Sequence, residues 1–215
     1  MPVAQPARPI RLYDFELSGH CHRVRLFLSL LGLPVERIAV DLAAGAAKRP
    51  EFLARNPFGQ VPVIEDPNPE EPVVLADSNA ILVYLAGRYD ADGRWLPHEP
   101  LAAAQVQRWL SVAAGQLNYG AARARVLCLF KRPGDLAWAQ EIARGLFQVL
   151  DGELAGRSFL VGDGPTIADV ALYSYTAHAP EGGVSLEPFA NVRAWLARIE
   201  ALPGFVAMQR MPVPA

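Results

Sequence analysis

Apolar and polar positions divide this chain into a first part with short alternating runs and a second part with helical spacing alone. Before about residue 90, β-like and helix-like runs alternate along the sequence. Predicted strands are 10–15, 35–42, 61–65 and 73–75, and predicted helices are 21–31, 50–55 and 78–88. This order, β-α-β-α-β-β-α, predicts a parallel crossover between the first strands and an antiparallel pair of the last two.

Residues 89–100, rich in polar, Gly and Pro residues, form the predicted linker, and the chain beyond them is predicted to be all-helical. The spacing of apolar residues predicts three amphipathic helices in this part. Their apolar positions are Val106, Trp109 or Leu110, Ala113 and Leu117; Leu136, Ile142, Leu146, Val149 and Leu150; and Phe189, Val192, Trp195, Leu196 and Ile199. Thr166 and Asp169 have the spacing of a capping box, a structural motif. We therefore predict an α/β domain over 1–88 and an all-α domain over 101–215.

Composition and charge narrow the class of protein further. The 215 residues are 52% apolar and 20% charged, which excludes disorder as the main state. The formal net charge is −2, so the chain has no electrostatic signature of a nucleic-acid or anionic-membrane binder. No apolar run approaches the roughly 18 residues of a membrane span, and residues 1–8 contain no signal-peptide core. Two cysteines are too few for a disulfide framework, so we expect a cytoplasmic protein.

The start of the first helix is the first candidate site, because helix N-terminal amides lack internal partners and favour anions. Ser18 either caps this helix or donates its hydroxyl to a bound anion. Cys21 is either a thiol activated by the helix start or a small apolar residue packed in the first turn. His20 and His22 lie two positions apart and face different sides of a helix, so no metal site is expected.

Two further segments contain residue types that suit a polar ligand. Pro62 lies next to the start of a predicted strand, and a cis bond before it would present the amide and carbonyl of Val61 to an extended ligand. Sequence alone favours trans. Asp77 and Ser78 open the next helix, where they either cap it or bind an ammonium and a carboxylate.

The order and spacing of these motifs resemble the cytosolic glutathione transferase family. The motifs are Ser-x-x-Cys after the first strand, Asn-Pro-x-Gly-x-Val-Pro at 56–62, Asp-Ser-x-Ala-Ile at 77–81 and Thr-Ile-Ala-Asp at 166–169. The resemblance covers roughly residues 9–205 and is nearest to serine-type bacterial (zeta/theta-like) members, through Ser18 and the Arg-Val-Arg at 23–25. Cysteine-type members would have Cys at position 18 or 20, and zeta-type isomerases have Ser-Ser-Cys at 18–20, where this chain has Ser-Gly-His.

This resemblance implies a thioredoxin-like N-terminal domain, an all-α C-terminal domain, a cis Pro62 and a homodimer. Glutathione, as co-substrate and without a metal, would place its sulfur at Ser18. The implied glutathione-binding residues are Gln60, Val61, Pro62, Asp77, Ser78 and, for the glycyl carboxylate, Lys48 or Arg49. A pocket for a small hydrophobic electrophile would include Asn118, Tyr119 and Arg123 of the helical domain, and the alternative for these three residues is ordinary helix surface. The expected function is glutathione transfer, isomerisation or dehalogenation in detoxification; the alternative is a non-catalytic binding or scaffold protein on the same fold.

Overall fold

A computed structural model describes residues 6–214, so the outer limits of the predicted domains, residues 1 and 215, lie outside the described part. Within the described residues, the chain divides into two compact units, the first running up to residue 93 together with 203–208 and the second covering 94–202 together with the residues after 208. The sequence-based bounds of 1–88 and 101–215 stay a prediction. Across residues 6–214, no helix combines the length and the apolar character needed to cross a bilayer.

The first unit is a four-stranded mixed sheet with helices. Its strands are β1 (Ile10–Asp14), β2 (Val35–Ala39), β3 (Val63–Asp66) and β4 (Val73–Ala76). Its helices are α1 (Gly19–Leu30), α2 (Pro50–Leu53) and α3 (Ser78–Tyr89), and a 3-10 turn covers Ala46–Lys48. The strands lie in the order β2-β1-β3-β4, with β1 and β2 parallel and the other two pairs antiparallel. The predicted element order and the pairings derived from it are confirmed.

Each of the seven predicted elements of the first unit differs from its sequence-based bounds by at least one residue, and α1 begins at Gly19 rather than at 21. The second strand ends at Ala39 rather than at 42, and the short second helix ends at Leu53 rather than at 55. The third strand begins at Val63 rather than at 61, after Pro62, which has no amide hydrogen to give to a strand ladder. Apolar alternation shows the buried face of a strand but does not show where the ladder bonds stop.

Register in this sheet decides which loops meet. Val63 pairs with Tyr13 of β1 and with Ala76 of β4. Because both pairings are antiparallel, the segment entering β3 lies beside the segments that leave β1 and β4. The three candidate segments of the first unit are therefore gathered at one end of the sheet.

The second unit is all-helical, as predicted. It contains α4 (Pro100–Val112), a π-helical segment (Ala113–Ala122), α5 (Arg123–Phe130), α6 (Leu136–Glu153), α7 (Ile167–Ala177), a 3-10 turn (Ala179–Gly182) and α8 (Ala190–Glu200). Every residue of α7 is buried, which explains why it shows no amphipathic spacing in the sequence. The fold class expected from the sequence is confirmed.

Two buried polar groups stabilise this helical unit. Thr166 and Asp169 form the predicted capping box at the start of α7. A second group, which the sequence analysis did not find, joins Arg125 of α5 to Glu181 and His178, with 2.5 Å between Arg125 Nε and Glu181 Oε2 and 2.5 Å between His178 Nδ1 and Glu181 Oε1. Arg125 and Glu181 lie 56 positions apart along the chain, so local motifs give no sign of their meeting.

Candidate active site

The start of α1 meets the start of α3 at the sheet end described above. His20 of α1 approaches Ser78 of α3, with 3.5 Å between Nδ1 and Oγ. Arg23, one turn further along α1, donates from Nη1 to Ser78 Oγ at 2.8 Å. These contacts bring together two of the three segments that the sequence analysis singled out separately.

Ser18 is the N-cap of α1, with extended backbone dihedrals and a half-buried side chain. Its Oγ accepts a hydrogen bond of 3.3 Å from the amide of Cys21. This capping role and a role toward a ligand are compatible, because a hydroxyl has two acceptor lone pairs and one proton to donate. The positive end of the 12-residue helix α1 adds to the attraction for an anion at Ser18.

Cys21 is fully buried, and Phe15 donates its amide to the Cys21 sulfur at 3.4 Å. Burial raises the pKa of the Cys21 thiol to about 12, although a hydrogen bond with Ser18 acts in the opposite direction. A thiol with that pKa stays protonated near neutral pH and is a poor nucleophile. Of the two alternatives left open by the sequence, packing in the first turn is therefore the one that the environment of Cys21 supports.

The loop before β3 is held by a buried asparagine. Asn56 donates from Nδ2 to the carbonyl of Gln60 at 2.8 Å and accepts from the amide of Phe58 at 3.1 Å. The bond between Val61 and Pro62 is cis, as the resemblance implied and contrary to the trans bond that the sequence alone favours. The exposed Lys48 donates from Nζ to the Phe58 carbonyl at 2.9 Å, so this cation lies against the same loop as Gln60 and Val61.

The close approach of the Ala47–Lys48 backbone and side chain explains why the loop has a glycine at position 59. Gly59 has a positive φ of 59°, and a Cβ there would lie 2.6 Å from the Ala47 carbonyl oxygen and 2.7 Å from Lys48 Nζ. Any larger residue would push the turn that contains Lys48 away from the loop. The glycine of the Asn-Pro-x-Gly motif thus keeps Lys48 beside the approach to Val61.

Asp77 and Ser78 differ in exposure although they are neighbours. Asp77 is exposed, has the unusual φ of 72°, and its Oδ1 accepts from the amides of Asn79 and Ala80 at 2.9 and 3.0 Å. It therefore caps α3, while its carboxylate stays at the surface. Ser78, by contrast, is only 4% exposed, and its hydroxyl oxygen accepts from Arg23.

Arg23 and His20 are the residues of this site that the sequence analysis did not assign. They lie three positions apart on α1, a spacing that places two side chains on one face of a helix, and this was the signal that could have found them. His22, on another face as predicted, contacts the carbonyl of Val206 at 2.9 Å instead. Arg25 also points away, and its Nη1 pairs with the buried Asp14 at 2.6 Å.

The predicted electrophile residues belong to the helical unit. Asn118 and Tyr119 lie in the π-helical segment, an irregularity that is frequent at functional sites. Asn118 is half-buried and Tyr119 is exposed. Arg123 begins α5, and its Nη2 donates to the Pro133 carbonyl at 3.0 Å. Within residues 6–214 no group of three or more His, Cys, Asp or Glu side chains is arranged to hold a metal ion.

Comparison with known families covers both units. The glutathione S-transferase N-terminal domain matches residues 17–88, and the glutathione S-transferase C-terminal domain matches residues 125–203. The two matches contain Ser18, the loop at 56–62, Asp77 and Ser78, and the capping box.

Individual relatives match over almost the whole chain. Glutathione S-transferase 3 from Zea mays is 36% identical over 96% of this chain and 97% of its own length. Maleylacetoacetate isomerase from Rhizobium meliloti is 35% identical, over 93% and 89%. A crystal structure of a glutathione S-transferase from Pseudomonas fluorescens superposes with a TM-score of 0.86 at 34% identity, covering 94% of this chain and 99% of that one. These matches confirm the expected glutathione transferase function and do not favour the non-catalytic scaffold. The chain belongs to the glutathione S-transferase family.

Proposed function

We propose that this chain is a serine-type glutathione transferase in which Ser18 stabilises the glutathione thiolate. The observation that carries this assignment is the contrast between Ser18 and Cys21 at one helix start. The Ser18 hydroxyl is half-buried at the positive end of α1, whereas Cys21 is fully buried and has a raised pKa. A protein thiol is therefore a poor candidate for the reacting group, and the hydroxyl is a good one for binding the sulfur of a ligand.

Glutathione would lie along the end of the sheet where α1, β3 and α3 begin. The exposed Asp77 carboxylate suits the γ-glutamyl ammonium, and the Ser78 hydroxyl suits the neighbouring carboxylate. The backbone of Val61, held by the cis bond to Pro62, would pair with the cysteinyl part, with Gln60 at the border. Lys48, against the same loop, would attract the glycyl carboxylate.

Thiolate formation at Ser18 needs only a modest interaction energy. Lowering a thiol pKa by about 2 units corresponds to roughly 2.7 kcal/mol. One hydrogen bond to a charged group contributes about 1.5–3 kcal/mol, and the α1 dipole adds about 0.3–1 kcal/mol. The thiolate then attacks the electrophile, and the electron pair of the broken bond leaves with the departing group or remains on the product when the reaction is an addition.

For the second substrate we propose a small hydrophobic electrophile bound by the helical unit, with Asn118, Tyr119 and Arg123 as its polar members. Asn118 and Tyr119 lie in a π-helical segment, where the changed helical pitch alters side-chain direction. Isomerisation remains the alternative reaction, because a maleylacetoacetate isomerase is among the relatives at 35% identity. Dehalogenation is a third option for the same thiolate. We place this activity in the cytoplasm, in detoxification.

We also propose that the protein is a homodimer. Large apolar side chains are exposed on the first unit, where Phe58 is 79% and Val74 50% accessible. The support for this proposal is membership of the glutathione S-transferase family, in which homodimers are usual. Light scattering at micromolar concentration should give twice the chain mass of 23.4 kDa, and a 23.4 kDa species would contradict the proposal.

A panel of electrophiles with glutathione, together with calorimetric glutathione binding, tests the enzymatic proposal. Conjugation of at least one aryl halide, epoxide or enone is expected, and so is calorimetric saturation by glutathione. Isomerisation of a cis-enone diacid without net consumption of glutathione would favour the alternative reaction. The absence of glutathione binding at millimolar concentration would contradict both.

A further inference from the structure

We propose that Arg23 is a positioning residue for glutathione: it fixes the Ser78 hydroxyl so that its proton points at the γ-glutamyl carboxylate. This inference rests on the proposed function of Ser78. Arg23 is a buried residue of α1 and the first residue of the Arg-Val-Arg at 23–25.

Arg23 is 1% exposed, and its hydrogen bonds connect α1 to the start of α3. Its Nη1 donates to two oxygens, Ser78 Oγ at 2.8 Å and Asn79 Oδ1 at 2.6 Å. Both acceptors are neutral oxygens, so Arg23 holds the first two residues of α3 by hydrogen bonds from a single nitrogen.

The hydrogen-bonding properties of arginine set the direction of the Ser78 hydroxyl. A guanidinium is always protonated in proteins and can only donate. Ser78 Oγ must therefore accept from Arg23, and its one O–H points away from Arg23. The other nearby group is His20 Nδ1 at 3.5 Å, which is at the outer limit of a hydrogen bond. An anionic oxygen at normal distance would be the stronger acceptor for this proton.

The Asp77 carboxylate and the Ser78 hydroxyl together suit the ammonium and the carboxylate of an α-amino acid group. Asp77 has its exposed carboxylate at the residue before Ser78, where an ammonium would be attracted. The carboxylate on the same ligand carbon would then meet the hydroxyl that Arg23 polarises. Arg23 is therefore expected to favour thiol peptides with a γ-glutamyl end over those that lack it.

The test compares Arg23→Met with wild type for glutathione and for cysteinylglycine, which keeps the thiol and the glycyl carboxylate but lacks the γ-glutamyl group. We expect the Kd and KM for glutathione to rise about 10- to 30-fold, as for the loss of one hydrogen bond to a charged group. The value of kcat at saturating glutathione, the pKa of the bound thiolate and the Kd of cysteinylglycine should change by less than about twofold. Equal weakening of both ligands would overturn the proposal.

A double-mutant cycle separates positioning from a purely structural role. If Arg23 acts through Ser78, adding Arg23→Met to Ser78→Ala should weaken glutathione binding by less than about threefold more. The matched control Asn79→Ala removes the other acceptor of the same guanidinium and should leave the glutathione Kd within about twofold of wild type. Full additivity in the cycle would overturn the proposal.

Arg23→Lys provides the test if Arg23→Met does not fold. Lysine keeps the charge but is a compact ammonium without the planar fork of a guanidinium. We expect weaker glutathione binding than in wild type, again without further loss in the Ser78→Ala background, and wild-type affinity would overturn the proposal. Failure of the wild-type protein to bind glutathione would instead contradict the proposed function, so the two failures are distinct.

Discussion

Among the helix starts that an aspartate helps to cap, those of α7 and α3 place it in opposite environments. At α7, Asp169 is buried, and each of its two carboxylate oxygens accepts two hydrogen bonds. The donors are the Leu160 amide, the Thr166 amide and hydroxyl, and the Trp195 indole. At α3, Asp77 is exposed, and its Oδ1 accepts from two amides of the helix.

This difference shows that the environment, and not the motif, decides whether a cap can also bind a ligand. Burial raises the pKa of Asp169, against the effect of the hydrogen bonds, and all of its accepting directions point at protein donors. Asp77 keeps its carboxylate at the surface, at the residue before Ser78. It therefore caps the helix through two hydrogen bonds and is still accessible to a ligand. We therefore expect changes at Asp169 to affect stability alone and changes at Asp77 to affect binding.

The largest expected effect is that of Asp169→Ala on folding. The change leaves four buried donors without an acceptor, and we expect the free energy of unfolding to fall by about 3–5 kcal/mol. Chemical denaturation measures this loss. The Kd for glutathione, measured on the folded fraction, should be unchanged. If the free energy of unfolding falls by less than about 1 kcal/mol, the proposed structural role of Asp169, and with it the difference from Asp77, is contradicted.

Ser18→Ala is expected to have the next largest effect, and this effect is catalytic. Loss of one preorganised donor to an anion typically lowers turnover about 10²-fold, or roughly 2.7 kcal/mol. Bound glutathione should also titrate at higher pH, because the thiolate has lost a hydrogen bond while the thiol has not. Ultraviolet absorbance of the thiolate in a pH titration of the complex measures this shift.

Cys21→Ala is the control for Ser18→Ala at the same helix start. Because the thiol of Cys21 is fully buried, we expect its removal to leave turnover and the thiolate pKa near their wild-type values. Loss of activity in Cys21→Ala together with an unchanged thiolate pKa in Ser18→Ala would assign the chemistry to a protein thiol. That result would contradict the serine-type mechanism.

Asp77→Ala is expected to weaken glutathione binding by about 1–3 kcal/mol through the loss of a charged partner, and to reduce stability by about 1 kcal/mol through the loss of a helix cap. Asp77→Asn separates the two effects, because the amide oxygen can still accept from Asn79 and Ala80 and asparagine tolerates positive φ. Calorimetry should therefore show weak binding in both variants, and denaturation should show lower stability in Asp77→Ala alone. An unchanged Kd in both would contradict the assignment of Asp77.

The smallest expected effect is at Lys48. An exposed cation attracts a ligand carboxylate by about 0.5–1 kcal/mol at low salt, so Lys48→Ala should raise the glutathione Kd about threefold. Raising the salt concentration should reduce the difference between variant and wild type, because exposed charges are screened. Arg49→Ala, one residue further along, is the matched control. If Arg49→Ala has the larger effect, Arg49 and not Lys48 binds the glycyl carboxylate.

The sequence by itself determined the features that local chemistry controls. Alternating and helical spacing predicted the order of the first seven elements, and cap residues predicted the start of α7. The spacing of the motifs through Ser18, 56–62 and 77–81 was specific enough to imply the family. These features can be recognised from the sequence because periodicity and capping depend on residues within a few positions of each other.

Tertiary structure decided the features that depend on partners far apart in the chain. Arg23 and Ser78 are 55 positions apart, and only the packing of α1 against α3 brings them to 2.8 Å. Burial, which separates the inert Cys21 and Asp169 from the accessible Ser18 and Asp77, is likewise a property of the folded chain. Identical residue types at similar helix starts thus acquire different roles, because desolvation and hydrogen-bond saturation are set by the surrounding elements and not by the local sequence.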